Sequence, residues 1–176
     1  MESELFPIVD VNGNIVGSAT RRECHSGSML LHPVVHLHVF RGDGSVFLQK
    51  RSMNKDIQPG KWDTAVGGHV DLGESVYMAL KREAREELGI DVDTPRFLCS
   101  YPFRSSVEYE LVNVFCVQVG DDFNPVLSPE EISEGRFWSR AEIENSCGHG
   151  VLTPNFEQEY QRIKQYLNSG NDVVND

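Results

Sequence analysis

Three glutamates in the middle of the chain have the spacing of a cation site. Glu86 and Glu87 lie three and four residues after Glu83, and in a helix this spacing places all three carboxylates on one face. Carboxylates held so close repel one another unless a cation lies between them. Because Mg²⁺ prefers carboxylate oxygens and keeps several waters, the spacing predicts a Mg²⁺ site, with Mn²⁺ as the alternative ion.

The residues around the glutamates predict a helix with defined ends. A glycine-rich turn at 66–68 leads into the region, and a second turn at 72–75 precedes a helix expected over 75–88. Gly89 follows the last helical residue, where a left-handed cap is typical. Small and apolar residues recur at helical spacing and predict the buried face: Val76, Ala79, Leu80 and Ala84.

The complete motif runs from Gly68 through Glu74 to the segment 82–90, which reads Arg-Glu-Ala-Arg-Glu-Glu-Leu-Gly-Ile. It resembles the Nudix box, and every fixed position of that box is filled. The resemblance implies hydrolysis of a diphosphate linkage by a Nudix-type α/β/α sandwich with a mixed β-sheet, an α+β fold. It also implies that the metal ligands and the catalytic residues are one set, Glu83, Glu86 and Glu87.

A plainer interpretation of this helix is a solvated acidic surface. Arg82 and Arg85 would then form ion pairs with the neighbouring glutamates. The many fixed positions of the motif favour the metal site. Under either interpretation, Arg82 is expected to form an ion pair and, with Glu74, to orient the helix and the preceding loop rather than contact a substrate.

The chain from about Leu5 to Tyr166 resembles one branch of the family, the type 1 isopentenyl diphosphate isomerases and related hydrolases. The similarity includes the segments 32–38, 48–51 and 59–62. In the isomerases three histidines and two glutamates hold a metal, and the matching residues predict a second divalent-metal site: His25, His32, His69, Glu108 and Glu110. The same resemblance suggests that Arg51 and Lys55 bind the diphosphate. Lys61 lies nearby in the same basic segment and is expected to bind it as well.

Three departures from the isomerase pattern favour hydrolysis. Gly67 stands where the isomerases have a cysteine that acts in proton transfer, and Asn155 stands where a tryptophan is expected. Glu83 stands where they have a basic residue. We therefore expect a Mg²⁺-dependent pyrophosphohydrolase, with an isopentenyl-diphosphate isomerase-like enzyme as the alternative and a binding module without turnover as a third hypothesis.

Composition limits the classes of binding partner that are expected. The chain has 176 residues and a net charge of −11, which argues against nucleic acid and leaves a small-molecule diphosphate as the expected partner. The four cysteines form no CxxC pair, which is typical of thiols in a reducing compartment. We see no signal peptide and no membrane span, so a cytoplasmic location is expected, and a homodimer is predicted on general frequency alone.

The coarse pattern predicts one domain over 1–168 and a disordered polar tail over 169–176. A hairpin is expected around an Asn-Gly turn at 12–13, and a capping box at 139–142 predicts the start of a helix. Strands and a last helix are expected over the following ranges: 34–40, 45–50, 62–66, 97–101, 107–119, 136–138 and 154–167.

Overall fold

The computed structural model describes residues 4–167, so the predicted tail at 169–176 lies outside the described residues. The described elements, in chain order, are β1 (Leu5–Val9), β2 (Ile15–Thr20), α1 (Arg21–Cys24), β3 (Leu31–Phe40), β4 (Val46–Arg51), β5 (Trp62–Thr64), β6 (Val66–His69), α2 (Val76–Leu88), β7 (Arg96–Arg104), β8 (Tyr109–Gln118), β9 (Ile132–Trp138), α3 (Arg140–Ser146) and α4 (Pro154–Ile163). A short 3₁₀ turn over Lys164–Tyr166 follows α4. The single domain over 1–168 stays a prediction.

A mixed seven-stranded sheet forms the centre of the fold. Its main path is β5-β4-β3-β8-β7, while β6 also pairs with β3 and β9 also pairs with β4. The β3–β8 pair is parallel and the other pairs are antiparallel. The central strand β3 is buried along almost its whole length, as expected for a strand covered on both faces.

Helices cover both faces of this sheet. The apolar side of α2 packs on the odd-numbered residues of β3, including Val35 and Leu37. The helices α3 and α4 pack on the other face, against Val34, Val112 and Val114. The arrangement confirms the predicted α/β/α sandwich with a mixed sheet.

The ends of several elements follow from local sequence. Gly13 has φ 84° in the turn between β1 and β2, a conformation that glycine adopts without steric cost. The predicted capping box is confirmed, because the side chains of Ser139 and Glu142 each accept a hydrogen bond from the other residue's backbone amide. Thr153 caps α4, and Pro154 occupies its first turn.

The predicted glycine-rich turn at 66–68 is wrong. Residues 66–69 form the strand β6, and the expected strand at 62–66 is split into β5 and β6 at Ala65. The reason lies in β3, where only Val39 and Phe40 pair with β4. The backbone of residues 34–37 therefore needs another partner, and β6 supplies it, with Gly67 opposite His36.

None of the helices over residues 4–167 is both long and apolar enough to cross a membrane. All four cysteines are free thiols.

Candidate active site

The three glutamates of α2 lie in different environments. Glu87 is only 6% exposed, and its carboxylate accepts hydrogen bonds from the Gln49 side chain at 2.7 Å and from the Gly67 amide at 3.4 Å. The Glu86 side chain is 58% exposed and pairs with Arg82 at 3.4 Å. Glu83 lies between these extremes, with a mostly buried side chain. The helix thus presents a graded set of carboxylates from core to solvent.

Gly68 is the residue that makes room for Glu83. A Cβ atom at position 68 would lie 2.1 Å from Cδ of Glu83 and 2.4 Å from its Oε1. The carboxyl group of Glu83 therefore packs directly against the backbone of β6. The glycine that opens the motif is needed for this close approach.

Arg82 holds the helix to the strand and loop before it. Its guanidinium donates to both carboxylate oxygens of Glu74, at 2.8 and 3.0 Å, and to the His69 carbonyl at 3.0 Å. It also donates to Glu83 at 2.8 Å. Such forked contacts fix geometry, and they confirm the expected ion pairing of Arg82 with its neighbouring glutamates.

Burial changes the protonation of two of these glutamates. Loss of solvent raises the pKa of Glu83 to about 7, although the nearby Arg82 opposes this change. Loss of solvent also raises the pKa of Glu87 to about 8, and the charge of Glu83 adds to the effect. Because burial without a cation disfavours both carboxylates, the donor set fits a bound divalent ion.

The five residues predicted as a second metal site lie together at one end of the sheet. His25 follows α1, and His32 and His69 lie on β3 and β6. Glu110 lies at the start of β8, and Glu108 directly precedes that strand. The Nε2 atoms of His25 and His69 are 3.1 Å apart. Glu108 lies 3.5 Å from His25 and Glu110 lies 3.9 Å from His69.

The three histidines are the most tightly grouped part of this cluster. Their ligand atoms all lie within 4.8 Å of one another, and over residues 4–167 no other group of three or more His, Cys, Asp or Glu side chains is so close. The glutamates of α2 do not converge to that degree. Nε2 of His32 is buried without a hydrogen-bond partner among the described residues, as expected of a nitrogen that serves as a metal ligand.

The charges of this second cluster suit a cation. Burial lowers the pKa of His25 to about 4 and that of His69 well below its ordinary value, so both imidazoles are neutral at physiological pH. Loss of solvent, followed by the charge of Glu108, raises the pKa of Glu110 to about 8. Neutral imidazoles and carboxylates together form a donor set for a divalent transition metal.

The basic residues predicted to bind a diphosphate lie near β4 and β5, and two of them have protein partners. Lys55 forms an ion pair with Glu131. The Arg51 guanidinium donates to the Ile57 carbonyl at 3.0 Å and lies 3.6 Å from Asp63. Their role toward a substrate, like that of Lys61, stays a prediction.

A buried polar network around Glu159 was not predicted. Its carboxylate accepts hydrogen bonds from Nδ1 of His36 at 2.7 Å and from Nε2 of His38 at 2.5 Å. The Tyr101 hydroxyl also donates to Glu159 and lies 2.9 Å from Oδ1 of Asn155. The sequence holds only a weak signal for this network, since position 159 falls on the same helical face as the buried residues 156, 160 and 163 of α4.

Glu159 and His36 form a charged pair. Burial lowers the pKa of His36, but the Glu159 carboxylate more than offsets this and raises it to about 9. Burial likewise opposes the charge of Glu159, but His36 and His38 outweigh it and hold the Glu159 pKa well below its ordinary value. The pair is therefore charged at neutral pH.

Gln49 is the second residue that the sequence did not reveal. It lies on β4 and donates to the Ala65 carbonyl at 3.1 Å as well as to Glu87. These bonds orient the buried carboxylate of α2. A lone glutamine in a strand gives no sign of this partner, since the pairing crosses between distant elements.

Comparison with known proteins identifies relatives by sequence and by structure. A model described as the NUDIX domain matches residues 30–160. An isopentenyl-diphosphate Delta-isomerase of Leifsonia xyli is 34% identical over 151 residues, covering 81% of this chain and 79% of the relative. A Yersinia pestis protein named an uncharacterized Nudix hydrolase is 31% identical over 176 residues, covering 91% and 92%. A crystal structure from Deinococcus radiodurans has a TM-score of 0.78 at 25% identity and covers 90% of this chain and 98% of that one.

The matched region includes the α2 glutamates, β6 and most of α4. Of the residues predicted for the second metal site, His25 alone lies before it.

Proposed function

The chain belongs to the Nudix family, and on that premise we propose that it is a Mg²⁺-dependent hydrolase of a diphosphate linkage. The substrate would be a nucleoside diphosphate or a related compound in which the diphosphate carries another group. The observation that carries this proposal is the complete glutamate set of α2, with Glu83 and Glu87 buried against the bare backbone of Gly67 and Gly68.

The roles of the residues follow from their positions. Glu83, Glu86 and Glu87 would hold the cation, which when bound neutralises phosphoryl oxygens and lowers the pKa of a coordinated water. Glu83, or a carboxylate from elsewhere in the site, would accept a proton from the attacking water. Arg82 keeps Glu83 in place through its bonds to Glu74 and to the loop.

The second cluster supports a proposed second divalent ion. The five donors fit Mn²⁺, Zn²⁺, Fe²⁺ or Mg²⁺, and the unpartnered nitrogen of His32 favours an ion at this position. A second charge near the first would help to hold a polyanionic substrate. We further propose a cytoplasmic location, which the four free thiols support.

The assembled His/Glu cluster favours a second candidate, an isomerase acting on isopentenyl diphosphate. Moving a double bond needs one group that gives a proton and another that takes one. Glu110 is available, but Gly67 has no side chain to supply the second. The intact α2 glutamates also favour hydrolysis over this alternative.

Product analysis separates these hypotheses. The protein is incubated with Mg²⁺ and, separately, with each of a panel of nucleoside and prenyl diphosphates, with EDTA as the metal-free control. We expect release of phosphate or of a monophosphate, and none in EDTA. An intact diphosphate with a shifted double bond would establish the isomerase, and saturable binding without product would indicate a binding module.

Gly68→Ala is expected to lower kcat by about 10²-fold, the size of effect that small misplacements of catalytic groups produce. The added methyl group would meet Cδ of Glu83 and push that side chain out of position. Steady-state kinetics on the active diphosphate measures the change. Gly17→Ala is the control, since a Cβ there meets nothing within 4 Å; equal activity of both variants would contradict the account.

Without divalent ions, the melting temperature is expected to fall as pH rises from 6.5 to about 9. Glu83, Glu87, Glu110 and His36 all have folded-state pKa values raised above the ordinary 4.5 or 6.5. Such groups stabilise the fold below the ordinary value, and this contribution is lost as pH rises through the folded value. Added Mg²⁺ or Mn²⁺ should restore more of the melting temperature at about pH 9 than at pH 6.5, because metal binding displaces protons. A melting temperature that rises over this range in EDTA would refute the prediction.

A further inference from the structure

The buried network around Glu159 lies on the opposite face of the sheet from the α2 glutamates. In β3 the odd-numbered residues 35, 37 and 39 pack with α2, while Val34 and Phe40 pack with α4. Side chains alternate along a strand, so His36 and His38 also point toward α4. Their hydrogen bonds to Glu159 on that helix agree with this direction.

Gly67 joins the two faces. Its amide lies 3.4 Å from the Glu87 carboxylate. A Cβ on the same residue would lie only 3.4 Å from Cδ2 and 3.7 Å from Nε2 of His36. Because neither Gly67 nor Gly68 has a side chain, the backbone of β6 is bare between the glutamates and the imidazole.

His36 has one nitrogen in use and one available. Nδ1 donates to Glu159, while Nε2 has no hydrogen-bond partner over residues 4–167. The His36 side chain keeps 12% of its surface exposed, whereas the side chains of His38 and Glu159 are completely buried. The Glu159 carboxylate thus fixes the ring so that its second nitrogen faces the glycine backbone.

We propose that His36 is a specificity-determining residue whose Nε2–H donates a hydrogen bond to the group attached to the diphosphate. This inference rests on the proposed function, in which the α2 face holds the diphosphate. The attached group would pass along Gly67 to the α4 face. It must therefore carry a hydrogen-bond acceptor, such as a ring nitrogen or a carbonyl oxygen.

A hydrocarbon group would be rejected for a physical reason. Binding a prenyl chain against His36 would remove water from Nε2–H without supplying an acceptor, and unpaired polar groups of this kind are costly. Sites built around a hydrogen bond discriminate strongly against analogues that lack the partner group. The side chains of Asn155 and Tyr101 add polarity to the same network.

Equilibrium binding in Mg²⁺ tests the inference independently of turnover. The probes are the methylene-bridged, non-hydrolysable analogues of ADP, UDP, dimethylallyl diphosphate and inorganic pyrophosphate. The test variant is His36→Asn, whose amide can replace Nδ1 toward Glu159 but has nothing at the position of Nε2. The matched control is His38→Gln, whose amide can replace the hydrogen bond that Nε2 of the fully buried His38 donates to the same carboxylate.

For the wild type we expect at least one nucleoside diphosphate to bind about tenfold or more tightly than dimethylallyl diphosphate, the equivalent of one hydrogen bond. His36→Asn should weaken the binding of that nucleoside diphosphate about tenfold and change the binding of the prenyl and inorganic probes by less than about twofold. His38→Gln should change the dissociation constants of all four probes by less than about twofold.

Three results would overturn the inference. The first is that the dimethylallyl probe binds as tightly as both nucleoside diphosphate probes. The second is an equal loss for all probes in His36→Asn, which would mean a phosphate contact. The third is an equal loss of nucleoside binding in His38→Gln, which would mean a structural effect.

A crystal structure of the wild type with a methylene-bridged nucleoside diphosphate analogue covers the case in which His36→Asn does not fold. A ligand acceptor within hydrogen-bond distance of His36 Nε2 supports the inference, and a ligand that does not reach His36 overturns it. The failures are distinguishable. Selective binding without turnover contradicts only the hydrolase proposal, while turnover without selectivity contradicts only the role of His36.

Discussion

Glu86→Gln is expected to lose nearly all turnover, with kcat lower by roughly 10²–10⁴-fold, the range for loss of a group acting directly in catalysis. The substitution removes the charge of a proposed cation ligand and keeps the shape of the side chain. The fold should be unaffected, because the side chain is 58% exposed and its ion pair with Arg82 is long, at 3.4 Å. Exposed pairs of this kind contribute little to stability.

Steady-state kinetics in excess Mg²⁺, together with a thermal melt, measures both parts of this prediction. Glu144→Gln is the matched control, since Glu144 is also exposed and also pairs with an arginine four residues away, on α3. Its kcat and melting temperature should equal those of the wild type. Normal turnover by Glu86→Gln would remove this residue from the mechanism.

Glu159→Leu is expected to destabilise the fold by roughly 3–5 kcal/mol, the usual effect of removing one partner of a buried ion pair. The leucine would leave His36 charged and unpaired in the interior, and His38 and Tyr101 would each lose an acceptor. Urea unfolding measures the change in the free energy of unfolding. The control is Gln158→Leu, at an exposed position of the same helix, where an effect within about 0.5 kcal/mol is expected.

The pH dependence of this difference has a defined sign. The folded-state pKa of Glu159 is lowered, so its contribution is present above the ordinary 4.5 and is lost as pH falls below that value. The folded-state pKa of His36 is raised to about 9, so its contribution is present below 6.5 and is lost as pH rises toward 9. The free energy of unfolding of the wild type should exceed that of Glu159→Leu by the largest amount between pH 4.5 and 6.5. A difference that grew toward pH 9 would contradict the charged pair.

Local sequence rules predicted the elements whose ends are set by their own residues. The helix with the glutamates begins after Ser75 and ends at Gly89, which has φ 62°, and the cap at Ser139 is where the sequence places it. These signals need only neighbouring residues, so one sequence is enough to read them.

The five residues of the second cluster were predicted by resemblance and not by spacing. They lie on β3, β6 and β8 or directly beside α1 and β8, and only the parallel pairing of β3 with β8 sets His32 beside Glu110.

The misses have the same origin. Glutamate is a residue type expected at the surface, and the partners of Glu159 on β3 lie 121 and 123 positions away in the sequence. The strand β6 likewise depends on the free edge left by β4. The local pattern places Glu159 on an apolar helical face but identifies none of its partners, because both features result from how distant strands and helices pack.

Hydrolysis in H₂¹⁸O, followed by ³¹P NMR of the products, shows whether water attacks a phosphorus atom. In the presence of Mg²⁺, we expect one ¹⁸O atom to enter a released phosphate or monophosphate, and Glu86→Gln to abolish this incorporation. Conversion of isopentenyl diphosphate to dimethylallyl diphosphate, with both phosphorus atoms still joined and unlabelled and no labelled product from any nucleoside diphosphate, would contradict the hydrolase proposal.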